Sequence, residues 1–185
     1  MRATRWTGYL LLPIAFLLER FAWFAVRSIL WEHLAGPGAE LAEAASTAVR
    51  VTGWLVLLSP IAGAAVGYAI GARRTLMIGM LALCAGYLLL VEGSTAWPGA
   101  IAVALGIGLV RPAFLAVAGA VSPDPAETPR TTFFLMLYAM NTLAALAGPP
   151  FAASFGAQKL VWAGAGAAIF AALASIAIAI HLAVA

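Results

Sequence analysis

From Thr7 to His33 the chain reads TGYLLLPIAFLLERFAWFAVRSILWEH, an apolar run that nevertheless carries Glu19, Arg20 and Arg27 within it. Crossing a hydrocarbon core of ~30 Å takes roughly 20 residues of helix, and this stretch is long enough. It lacks the period-two alternation of a membrane strand, so a helix is the spanning element it can form. The charges make it informative, because an unpaired ion at mid-membrane costs at least ~2.5 kcal/mol on insertion scales and something must compensate each one. At ~100° per residue, Phe16, Arg20, Phe24 and Arg27 share a narrow sector, with Glu19 and Trp23 on its shoulder. One face of this first helix is therefore a charged and aromatic stripe.

Five more stretches of similar length follow, at 47–71, 74–91, 97–121, 131–154 and 160–183, which with 7–33 predicts an all-α membrane protein of six transmembrane helices. Composition agrees. Of 185 residues, 64% are hydrophobic and 9% are charged, against about 25% charged in soluble domains, so the solvent this surface suits is lipid. Arg2 and Arg5 precede the first run as they would in a signal peptide, but no small-residue cleavage site follows, and the segment reads as a retained first span. The connections Ala35-Gly36-Pro37-Gly38 and Ser122-Pro123-Asp124-Pro125 are helix breaks too short to link domains, so 1–185 reads as a single membrane domain. Arg2, Arg5, Arg73, Arg74 and Arg130 gather on one side. Arg50 and Lys159, with the acidic Glu32, Glu40, Glu43 and Glu92, lie on the other, which predicts cytoplasmic termini.

Several familiar chemistries are excluded. The net charge is only +3 and the ten Lys and Arg residues are scattered, so no basic run tracks a nucleic-acid backbone. Cys84 is single and lies in an apolar stretch, where it reads as a small buried hydrophobe and permits no intrachain disulfide. His33 sits in the outer connection beside Glu32 and His181 near the C-terminal end, so no metal-binding spacing exists. Gly106-Ile107-Gly108 lies mid-span, without the strand-turn-helix context of a phosphate loop. The chain is expected to be no enzyme and to need no metal or cofactor.

Within the spans, Gly63, Gly67 and Gly71 fall on one helical face and predict close approach by a neighbouring helix. Pro60, Pro112 and Gly148-Pro149-Pro150 each remove a helical hydrogen bond, and are candidate bends or breaks. Counted at ~1.5 Å per residue from the cytoplasmic end of each span, Arg20 lies about 20 Å deep, and Arg111 and Asn141 about 15 Å. Three helices can thus aim polar groups at one central cavity. Glu19 against Arg20, Arg27 and Arg111 leaves a positive excess, suited to an anionic group such as a carboxylate or phosphate. The alternative is a structural lock, in which Glu19 pairs with Arg20 or Arg111 while Arg27 snorkels to the far interface.

The segment Glu19-Arg20-Phe21-Ala22-Trp23-Phe24-Ala25-Val26-Arg27 resembles the first-helix signature of the proton-coupled oligopeptide transporters of the major facilitator superfamily, E-x-x-E-R-F-x-Y-Y-G followed by an Arg. Gly63 through Gly71-Ala72-Arg73-Arg74-Thr75 is similar to the superfamily's cytoplasmic loop motif. Gly106-Ile107-Gly108-Leu109-Val110-Arg111-Pro112 is similar to the family's G-x-G-x-x-K-P, and Phe133-Phe134, Tyr138 and Asn141 to its fifth-span stretch. The departures are specific. Phe16 stands at the first Glu, Trp23 and Phe24 at the Tyr pair, Ala25 at the Gly and Tyr68 at the loop Asp, while Arg111 keeps the charge of the Lys.

The resemblance implies the N-terminal six-helix half of a 3+3 major-facilitator fold, whose cavity is completed by a homodimer or by a separately encoded six-helix partner. It implies a small-molecule solute, anionic or zwitterionic, such as a short peptide. Arg20 and Arg111 would be anion ligands, Arg27 a secondary ligand, and Glu19 the counter-ion and protonation site of a network with Arg20 and Arg111. Trp23 and Phe24 would be cavity walls, and Tyr138 and Asn141 hydrogen-bonding groups. The expected setting is the lipid bilayer of a bacterial inner (cytoplasmic) membrane, crossed many times. The rival reading is a non-transporting, transporter-derived structural or assembly subunit of a larger membrane complex.

Overall fold

A computed structural model describes residues 2–35, 39–91, 96–121 and 130–154. All of it but Gly71 is helical: α1 (Arg2–Ala35), α2 (Ala39–Ile70), α3 (Ala72–Val91), α4 (Ala96–Val121) and α5 (Arg130–Ser154). These coincide with the first five expected spans. The sixth, at 160–183, lies outside the described residues, as do the Ser122-Pro123-Asp124-Pro125 connection, Glu92, Lys159 and His181. Segments of α2, α3, α4 and α5 are long and apolar enough to cross a membrane.

Each candidate breaking proline is accommodated inside a continuous helix, Pro60 in α2, Pro112 in α4, and Pro149 and Pro150 in α5, and so is Pro13 in α1. In a bilayer the freed carbonyls cannot turn to water, and neighbouring helices and hydroxyls take up the demand. Beside Pro60, the Ser59 hydroxyl donates to the Ala104 carbonyl of α4 at 3.1 Å and ties the two helices together. His33, expected in a connection, instead belongs to the last turn of α1, and its Nε2 donates to the Leu90 carbonyl at the end of α3.

The bundle is organised around α4. It packs against α3 along one seam and against α2 along another, while α1 packs on α5 and α2 and reaches α4 more narrowly. Lipid offers no hydrophobic drive for helices to associate, so they are held by close packing between small residues. The α3–α4 seam shows this in one antiparallel register. A Cβ on Gly79 would lie 2.8 Å from Val110, one on Gly106 2.9 Å from Leu83, one on Gly86 2.7 Å from Val103, and one on Gly99 2.7 Å from Leu90.

The α2–α4 seam is tighter still, since a Cβ on Gly63 would strike the Gly108 carbonyl and one on Gly108 would strike Ser59. The expectation that Gly63, Gly67 and Gly71 act together as a packing face therefore needs correction. Only Gly63 meets a neighbouring helix closely; the nearest atom to a Cβ on Gly67 is Thr75 Oγ1, at 3.9 Å. Gly71 is a turn residue. Its φ of +89° is a conformation that L side chains resist, and it reverses the chain between α2 and α3 with hydrogen bonds on both sides, from its own N–H to Gly67 and from the Thr75 N–H to its carbonyl.

Candidate functional site

Two polar centres emerge, and they differ in kind. The first is closed. Glu19 and Arg20 are 1% and 2% exposed, and the Arg20 guanidinium grips the Glu19 carboxylate through both Nε and Nη2. Neighbouring residues on a helix do not ordinarily face each other, so both side chains must curl to meet, which is worthwhile where either charge alone would be stranded in a dry interior. Phe16 closes one side, with Arg20 Cζ 5.8 Å from its ring centre. Phe16 in turn stacks on Phe114 of α4, centroids 5.0 Å apart. The aromatic ring that replaces an acid in the signature thus seals the pair. Tyr87 of α3 lies close enough to feel both charges, yet its buried hydroxyl has no hydrogen-bond partner among the described residues.

The second centre is open, a cavity of about 300 Å³ between α1, α2 and α4. Helix α1 contributes Trp23, Arg27 and Leu30, spaced four and three apart and so on one face. Helix α2 contributes Val49, Thr52, Gly53 and Val56 in the same manner, and α4 contributes Arg111. Trp23 is 3% exposed and forms a fixed wall; Arg111 is half-buried and Arg27 exposed toward the open side. Among the described residues no acidic group pairs with either arginine. Gly53 leaves its flank empty, with nothing within 4 Å of where a Cβ would stand. Thr52 is 2% exposed, and its hydroxyl has no hydrogen-bond partner among the described residues.

The residues singled out from sequence divide accordingly. Arg27, Arg111 and Trp23 come together in the cavity. Arg20, expected as an anion ligand, is turned to Glu19 and is not among the cavity-lining residues. Phe24, expected as a wall, lies against α5, where the missing side chain of Gly148 makes room for it. On α5 the inward stripe is Phe133, Leu137, Ala144, Gly148 and Ala152; Asn141 falls within it, half-buried, and Tyr138 beside it is 71% exposed. Neither lines the cavity. Sequence reasoning missed the α2 wall. Its one signal was Thr52, a hydroxyl standing in the apolar run from Val51 to Leu58.

No protein-family model matches the chain, and no curated protein does. Solved structures do. The chain is similar to the peptide transporter POT in complex with sulfate, with a TM-score of 0.81 and 21% identity over 92% of this chain and 37% of that one. It is similar to a mutant of the same type of transporter in complex with alafosfalin, with a TM-score of 0.80, 22% identity and coverage of 92% and 38%. A POT family transporter in complex with 5-aminolevulinic acid matches at a TM-score of 0.71 and 20% identity, over 96% of this chain and 37% of that one. The chain thus has the fold of part of a peptide transporter of this type, and it spans under two-fifths of the length of those it matches.

Proposed function

We propose that the chain is a half-size membrane transporter, working as a dimer or with a separate six-helix partner, for a small anionic or zwitterionic solute such as a short peptide. One observation carries this reading: Arg27 and Arg111 line a common cavity between α1, α2 and α4, with no acidic counter-charge on its walls among the described residues. Intramembrane ions are costly and mark solute pathways where they face a cavity. A negatively charged ligand group would neutralise these two, and guanidinium groups suit carboxylates and phosphates by geometry. In this reading Arg27 and Arg111 are the ligands, Trp23 is a wall, and the Glu19–Arg20 pair holds the face of α1 in place. The partial coverage of the matched transporters supports a second six-helix unit opposite the cavity. The positive bias of the connections supports cytoplasmic termini.

The test is uptake of dipeptides and small organic anions into proteoliposomes. Arg111→Ala is expected to abolish uptake while leaving the amount of folded protein in the membrane unchanged. Loss of folded protein instead would favour the rival reading, a structural subunit in which the arginines hold helices together. The sealed Glu19–Arg20 pair is the feature that speaks for that rival.

A further inference from the structure

The cavity contains a third group besides its two arginines. Thr52 lines the cavity wall between Val49 and Val56, and its Oγ1 is buried without a partner among the described residues. A buried hydroxyl left unbonded is destabilising, and the economical explanation of one on a cavity wall is a partner that arrives with the ligand. The charged groups facing this space are Arg27 from α1 and Arg111 from α4, with none from α2. Both are guanidinium groups, which stay protonated and so cannot relieve their mutual repulsion by shedding a proton as a lysine could. Two fixed positive charges facing one cavity are best balanced by two negative charges. A carboxylate supplies one, with both oxygens in a plane. A phosphate monoester or phosphonate supplies nearly two near neutral pH, on three oxygens spread in a tetrahedron.

Resting on the anion-binding reading above, we infer that the cavity selects solutes carrying a dianionic phosphoryl group over those carrying a carboxylate, with Thr52 Oγ1 donating the third hydrogen bond. Arg27 and Arg111 take two of its oxygens and Thr52 takes another, which leaves the space beside Gly53 for the body of the solute. Thr52 is thereby a specificity-determining residue.

The experiment is calorimetric titration of the full chain in nanodiscs with phenyl phosphate and with benzoate, which share an aromatic body. Phenyl phosphate is expected to bind about tenfold more tightly than benzoate at about pH 7.5, and to weaken toward about pH 5 as its dianion takes up a proton to become the monoanion, while benzoate changes little. Thr52→Val is expected to reduce phenyl phosphate affinity about tenfold, and Thr52→Ser to retain it. The Ser variant and the pH profile decide the matter if the Val variant fails to fold. Equal or tighter binding of benzoate, or a phosphate preference that survives in Thr52→Val, would overturn the inference. If both probes bind and both depend on Arg111, the transporter reading stands whichever is preferred. If neither binds, or Arg111→Ala binds them like the wild type, both fail.

Discussion

At the scale of single residues, the apolar middle of the first helix holds three ions, Glu19, Arg20 and Arg27, and treats them in two ways. Glu19 and Arg20 neutralise each other beside the ring of Phe16, which stacks on Phe114, whereas Arg27 faces the cavity with Arg111. Breaking a buried pair strands one charge, which typically costs about 3–5 kcal/mol, while replacing both members with apolar groups is often close to neutral. Glu19→Gln is therefore expected to lower the unfolding temperature in detergent sharply, and the double change Glu19→Leu with Arg20→Leu to recover most of the loss. A double variant as unstable as the single would show that the pair does more than neutralise itself. The ions are legible in the sequence because charges stand out in an apolar run. Which of them pair is not, since helical angles place Glu19 and Arg20 on adjoining sectors and say nothing of how two long side chains curl. Thr52 is harder to read, because a threonine can bond its own helix and becomes informative only once its hydroxyl is seen to lack a partner.

At the scale of helices, the glycines decide how closely neighbours approach. Gly63→Ala would drive a methyl into the Gly108 carbonyl, and since a backbone atom cannot rotate away, α2 and α4 must separate. A loss of about 1–3 kcal/mol is expected. Gly67→Ala, with its nearest neighbour at 3.9 Å, is expected to stay within about 0.5 kcal/mol of the wild type. Thermal unfolding of the two variants side by side measures the difference, and equal effects would contradict the crossing described. Gly53 is different again, because the space at its Cβ position is open. Gly53→Leu is expected to fold normally and to suppress solute binding by filling the cavity; unchanged binding would place the solute elsewhere. The helices themselves are plain from the length of the apolar runs, which the bilayer imposes. The three-glycine stripe misleads because spacing gives a helical face without saying which residue lies at the crossing and which lies at the turn. The prolines are likewise indeterminate, since a neighbour's hydroxyl or a tilted carbonyl can absorb what one helix loses.

At the scale of the whole molecule, five described helices put a positive cavity among α1, α2 and α4, and the matched transporter structures extend well beyond the portion this chain overlays. The likeness is legible in the sequence through four motifs in order, since each marks a place where a membrane helix departs from plain apolar composition. What lies opposite the cavity is not legible there, because neither an apolar face nor an exposed Arg27 specifies what covers it. The central claim is that a second six-helix unit completes the cavity. The most direct test is the mass of the complex purified in mild detergent, with every co-purifying chain identified. The account predicts a homodimer or a one-to-one pair with another six-helix chain; a lone monomer, or a large assembly of unrelated subunits, would contradict it.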